Sequence, residues 1–188
     1  MCGRMNIEHK SLCPIISEFF GVNFSTQSNS DLSPSQKVAT ITASTSGYQQ
    51  LDTVWGLQPQ WSKKLIINAQ SETVAAKPTF KQAYQTQRCL VPCNGWYEWR
   101  TENNKKQKYL FSNQNDEPLL MAGIWYAEQT PKLITLTTTP NEKCAQYHKR
   151  MPLFILPESA QYWFQSSVVQ LQPLLQAIES ERIHVEKC

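Results

Sequence analysis

Arg88-Cys-Leu-Val-Pro-Cys-Asn-Gly-Trp-Tyr-Glu-Trp99 decides how this chain folds. Residues 89–91 form a short apolar run and residues 96–100 an aromatic one, with Pro-Cys-Asn-Gly between them. Asn-Gly is strong turn chemistry, so the stretch predicts two strands around a turn. The pattern continues on both sides. Residues 109–112, 119–125 and 133–138 read as strands downstream, and residues 37–43, 51–56 and 65–68 upstream, because each is short and rich in β-branched or aromatic side chains. Helical patterning is sparse. Residues 11–20 read as an amphipathic helix ended by Gly21. Residues 71–76 open a helix with Ser71 as its cap, residues 142–149 form another that stops before Met151-Pro152, and residues 159–164 a short one. The tail from Leu171 is partly helical, and the Ser-, Asn-, Thr- and Pro-rich residues 23–35 read as a loop. Strands outnumber helices, and no repeated βαβ spacing is present. The expected fold is α+β: a single domain over residues 1–188, with curved, mostly antiparallel strands in a barrel-like core and peripheral helices.

The bulk composition excludes several classes. The chain has 188 residues, 40% hydrophobic and 18% charged, which is globular rather than disordered. No apolar run approaches the ~20 residues that span a bilayer, and Met-Cys-Gly-Arg-Met-Asn has no apolar stretch after its charge. A cytoplasmic monomer is expected, with no membrane partner and no cofactor. Its six cysteines are then reduced thiols and not a disulfide framework. Cys89 and Cys93 have Cys-x-x-x-Cys spacing but lack a second clear pair, so they read as small core residues and no metal is expected. The net charge of +3 decides little. Between Thr53 and Tyr97, however, Lys63, Lys64, Lys77, Lys81 and Arg88 face the single acid Glu72 and interleave with Trp55, Trp61, Phe80, Tyr84, Trp96 and Tyr97. That mixture suits a nucleic-acid surface, and equally a solvated basic face over an aromatic core.

Four residues invite chemistry. Cys2 follows Met1, and removal of Met1 exposes an amine and a thiol on one residue. Such an aminothiol condenses with an aldehyde to an imine and closes through sulfur to a thiazolidine. Reference pKa values of roughly 8 and 8.5 leave some of each nucleophile near neutral pH. An idle terminal cysteine is the plainer alternative. Glu98 stands among Trp96, Tyr97 and Trp99, a desolvating setting that raises a carboxyl pKa toward acid/base work, although a salt-bridged Glu at a sheet margin fits too. His148, at the end of the expected helix and before a proline, can shuttle protons or simply face the helix dipole. Asn68 sits at a strand end, where sites are often built.

Six motifs then occur in order: Met-Cys-Gly-Arg (1–4), Trp-Gly-Leu-x-Pro-x-Trp (55–61), Asn-Ala-x-Ser-Glu-Thr (68–73), the 88–99 stretch, Ala-Gly-Ile-Trp (122–125) and His-x-Arg-Met-Pro (148–152). Together they resemble the SOS-response-associated peptidase family, the abasic-site-processing proteins, from Met1 to about Pro157. The resemblance implies binding of single-stranded DNA and covalent capture of abasic sites through a thiazolidine on Cys2. It further implies that Asn68 orients the Cys2 region and the sugar, that Glu98 is the general acid/base, and that His148 contacts the opened sugar or its phosphate. Arg4 and Arg150 match phosphate-holding positions, Trp55 an aromatic near the DNA groove, and Pro34 the proline of the active-site loop. Two departures stand out. Gln70 replaces the usual Arg, and Val54 a frequent basic residue, which weakens DNA affinity more than chemistry. A thiol peptidase with Cys2 as nucleophile and His148 as base, its minimal act the removal of Met1, is the competing reading. A passive single-strand binding module is the third.

Overall fold

The computed structural model describes residues 3–188, so Met1 and Cys2 lie outside the described residues. In chain order the elements are β1 (Met5–Ile7), α1 (His9–Phe20), β2 (Asn29–Leu32), β3 (Lys37–Ser44), β4 (Gly47–Trp55), β5 (Asn68–Gln70), α2 (Pro78–Thr86), β6 (Arg88–Cys93), β7 (Gly95–Glu102), β8 (Lys105–Asn113), β9 (Leu119–Tyr126), β10 (Lys132–Thr138), α3 (Glu142–Ala145), β11 (Met151–Pro152), α4 (Ala160–Gln165) and β12 (Ile183–Lys187).

They build two sheets. One is antiparallel, in the order β12-β8-β7-β1-β2. The other runs β10-β4-β3-β6-β9 and closes on itself, because β9 also pairs with β10. Closure removes the open edges that a flat sheet would present. Most pairs in the ring are antiparallel; β10 runs parallel to β4 and to the short β5. The α+β, barrel-like expectation therefore describes the protein.

The opening stretch does something other than form a hairpin. β6 pairs with β3 and β9 in the ring, whereas β7 pairs with β1 and β8 in the other sheet. Asn94 is the corner between them. Its N–H donates to Asn6 O (2.9 Å), its Oδ1 accepts from Glu8 N–H (2.7 Å), and its Nδ2 donates to Ser11 Oγ (2.9 Å). Gly95 has no positive φ; it is needed because a Cβ there would lie 2.3 Å from Phe111 O. The glycine thus serves close strand approach rather than turn conformation. Downstream of the corner, Trp96 stacks on Phe111 (centroids 4.8 Å) and meets Phe154 (5.1 Å), which joins the two sheets through one aromatic core.

Other expectations shift. Residues 71–76 are turns, and the helix begins at Pro78, where a proline lacking an N–H fits the first turn. Ser71 is buried and caps nothing. α3 is a single turn, capped by Asn141 Oδ1 accepting from Cys144 N–H (2.9 Å), so His148 lies beyond the helix in irregular chain. Among the described residues no helix is long and apolar enough to cross a membrane.

Candidate active site

β10 is the rail on which one half of the site is mounted. Its residues Thr135, Leu136 and Thr137 lie opposite Asn68, Ala69 and Gln70 of β5, and its Thr137 and Thr138 opposite Pro152 and Met151 of β11. The alternating threonines turn their hydroxyls to the backbone and side chains of β5. Thr135 Oγ1 donates to Asn68 Oδ1, and Thr137 Oγ1 to Ala69 O (3.3 Å). Beyond β5 the chain turns, and Glu72 meets Arg150 in a two-pronged ion pair of 2.8 and 2.7 Å. Arg150 Nη2 also donates to Thr137 O at 2.6 Å, which fixes the guanidinium against β10. Burial raises the Glu72 carboxyl, but the Arg150 bonds and charge, together with a backbone hydrogen bond and Thr139, outweigh it and the net shift is downward. Arg150 is therefore tied to an anion of this chain.

His148 is half-buried, two residues before Arg150. Its Nδ1 lies 3.0 Å from Arg150 N and 3.1 Å from Arg150 O. Nδ1 accepts from the N–H when unprotonated and donates to the carbonyl when protonated. A ring that finds a backbone partner in both states can gain and lose a proton without leaving its place. Burial, with the neighbouring Lys149 charge adding, holds its pKa below the ordinary imidazole value despite the Arg150 bond.

Glu98 comes from the other sheet. The alternation of β7 puts Trp96 and Glu98 on one face. Only 4% of Glu98 is exposed, whereas Trp99 is partly exposed on the opposite face. Burial pushes the Glu98 carboxyl up to about 7. Its cross-strand partner is Tyr109, whose ring contacts Tyr147 (4.7 Å), the residue before His148. Arg100, next on that face, lies over the Tyr147 ring at 4.8 Å. Burial also raises the Cys144 thiol, to about 12, with Lys143 opposing and the Glu98 carboxylate adding. The segment 141–150 thus touches both sheets: Tyr147 packs on Tyr109 beside Glu98, and Arg150 is bonded to β10, the strand that also holds Asn68.

The remaining sequence candidates separate. Arg4 O accepts from Tyr97 N–H (3.1 Å), and the Arg4 guanidinium pairs with Asp31 (3.5 Å). Pro34 begins a turn in which Gln36 N–H donates to Ser33 O and Ser35 takes φ of 71°. Trp55 requires correction as a DNA-contacting residue. It is 0% exposed inside the ring, with its indole N–H donating to Ile67 O (3.1 Å). A buried indole has no face to offer a base. Its backbone instead anchors the Pro34 turn, accepting from Ser35 N–H (2.8 Å) and donating to Gln36 O (3.0 Å). The exposed aromatic of this motif is Trp61, 71% accessible beside exposed Lys63 and Lys64, on the loop closed by the Leu57–Ile66 bridge. Sequence patterning groups it with five aromatics that are buried. Cys89 and Cys93 are buried core thiols, each raised by burial.

A family model described as SOS response associated peptidase (SRAP) matches residues 1–188. The chain belongs to the SRAP family. Among its relatives, the abasic site processing protein YoqW of Bacillus subtilis is 29% identical over 96% of this chain and 89% of its own. The abasic site processing protein YedK of Escherichia coli is 30% identical over 61% of this chain and 54% of its own. Two crystal structures from Bordetella bronchiseptica share this fold. One superposes with a TM-score of 0.85 at 20% identity, covering 100% of this chain and 99% of its own. The other, a phage-related protein, has a TM-score of 0.81 at 23% identity, covering 100% and 94%.

Proposed function

We propose that this SRAP protein binds single-stranded DNA and captures abasic sites covalently through Cys2 once Met1 has been removed. The observation that carries the reading is the buried Glu98 carboxyl, raised to about 7, near the segment 141–150 that also holds His148. A group half-protonated near neutral pH serves as acid and as base in turn. Arg4 is hydrogen-bonded to Tyr97, the neighbour of Glu98, and Cys2 precedes Arg4 by two residues, a span of at most ~7 Å. The names of YoqW and YedK supply the lesion.

Glu98, as the acid, protonates the ring oxygen of the abasic sugar while the C1′ hydroxyl proton leaves, which opens the ring to the aldehyde. The Cys2 amine adds to the carbonyl carbon, and Glu98 protonates the departing hydroxyl, so that one water leaves and an imine forms. The thiolate then adds to the imine carbon; the S–C bond forms and the nitrogen takes the proton. The sum is aldehyde plus aminothiol giving thiazolidine plus water. His148 relays protons at the sugar, and Asn68 orients the reacting groups. Trp61 offers a stacking face for an unpaired base, with Lys63 and Lys64 for the flanking phosphates. Arg4 and Arg150 contact phosphates closer in.

The test is incubation with a uracil-containing single strand pretreated with uracil glycosylase, resolved on a denaturing gel. A shifted band is expected with the wild type and none with Cys2→Ala. A band of equal intensity from Cys2→Ala, or none from the wild type, defeats the reading. Turnover of peptides in trans, insensitive to DNA, would favour the thiol peptidase instead.

A further inference from the structure

We propose that Thr135 is the positioning residue that sets which end of the Asn68 amide faces the site. The inference rests on Asn68 belonging to the reactive site, as proposed above. Thr135 is 1% exposed on β10, directly opposite Asn68 in the β5 register. Its hydroxyl has two acceptors in reach, Asn68 Oδ1 and, at 3.3 Å, Ile67 O. A hydroxyl has one proton to give. Ile67 O already accepts from Trp55 Nε1 (3.1 Å) and from Thr135 N–H (3.1 Å), so both of its lone pairs are engaged. The Thr135 proton therefore goes to Asn68 Oδ1. A carbonyl oxygen held by β10 turns the amide nitrogen the other way. Asn68 then presents N–H donors, not an acceptor, toward the reacting groups.

Donors at that position stabilise what becomes electron-rich during capture: the carbinolamine oxygen as the amine adds, or the thiolate before it closes the ring. With valine in place of Thr135 the two amide rotamers become nearly equivalent, since each buries one unpartnered polar atom against β10. The donor orientation is then populated only part of the time, and the bond that held it is lost. Nothing in the DNA-binding surface changes.

The experiment measures single-turnover capture rates at saturating abasic single strand, together with the Kd for the strand, for wild type, Thr135→Val, Thr135→Ser, Asn68→Ala and the Thr135→Val/Asn68→Ala double variant. The expected result is a roughly five- to ten-fold slower rate for Thr135→Val, the scale of one hydrogen bond, with Kd unchanged and rescue by Thr135→Ser. Because Thr135 acts through Asn68, Thr135→Val should cost nothing further once Asn68 is alanine. An equal loss in both backgrounds, or no loss in either, overturns the inference. A wild-type rate unaffected by Asn68→Ala overturns the site assignment on which it rests. If the wild type captures nothing, the proposed function fails, and the Asn68 side-chain NH2 resonances still decide the orientation. They should be shared by wild type and Thr135→Ser and displaced in Thr135→Val, and identical spectra in all three would refute it.

Discussion

Replacing Glu98 by Gln tests stability and chemistry at once. The carboxyl is almost fully buried, and its folded-state pKa is about 7 against an ordinary 4.5. A raised carboxyl means that the folded protein holds a proton the unfolded chain has released. Its contribution to stability is complete below pH 4.5 and is lost as pH rises through 7. Between pH 5 and pH 8.5 the loss integrates to roughly 2–3 kcal/mol, from about 1.4 kcal/mol per pKa unit. The glutamine side chain has the same shape and no proton to lose, so the Glu98→Gln variant should lack this part of the slope. Urea unfolding monitored by tryptophan fluorescence at pH 5 and 8.5 reads the difference. With a slope near ~2 kcal/mol per molar, the wild-type midpoint should fall on the order of 1 M further than that of Glu98→Gln over the interval. The same variant should capture abasic DNA at least ~100-fold more slowly, the usual scale of acid/base catalysis, without the wild-type fall in rate above pH 7. Parallel unfolding midpoints in the two proteins would refute the burial argument, and an unchanged capture rate would remove Glu98 from the chemistry.

Two further predictions concern DNA affinity. Gln70 is exposed on β5, beside the Arg150–Glu72 pair, so Gln70→Arg should add a phosphate contact and steepen the slope of log K against log salt by about 0.7 for a single strand, read by fluorescence anisotropy across a salt series. An unaltered slope would place Gln70 away from the strand. Trp61→Ala should weaken single-strand binding by about 1–3 kcal/mol while changing unfolding stability by less than ~0.5 kcal/mol, since the indole is 71% exposed. Equal affinity with and without Trp61 would exclude the stacking role.

The long elements were legible because their patterns are internally consistent. β7, β9 and β10 carry runs of β-branched and aromatic residues with turn chemistry at their ends, and the alternation that put Glu98 beside Trp96 is a property of any strand. Short elements were not legible. Asn29–Leu32 reads as a loop, and it is a strand only because β1 offers an edge to pair with. Ile183–Lys187 likewise becomes a strand against β8. Tertiary pairing makes these, and no local propensity announces it. The interleaved basic and aromatic stretch shows the same limit. Trp55, Phe80, Tyr84, Trp96 and Tyr97 are buried and only Trp61 is widely exposed, while Arg88 is turned inward to donate to the carbonyls of Tyr84, Trp163, Phe164 and Ser166. Period and composition cannot say which side of a loop faces water. Thr135 was invisible for a related reason, since a threonine in a strand is ordinary until the strand beside it is known.

The central claim is that the reactive group is the aminothiol of Cys2, free of Met1. Intact mass spectrometry of the gel-purified crosslink to a defined abasic oligonucleotide tests it most directly. The account predicts one species: the chain lacking Met1, plus the oligonucleotide, minus one water, with the bond mapped to residue 2 after proteolysis. A crosslink that retains Met1, or one mapped to a lysine and formed equally by Cys2→Ala, would contradict it.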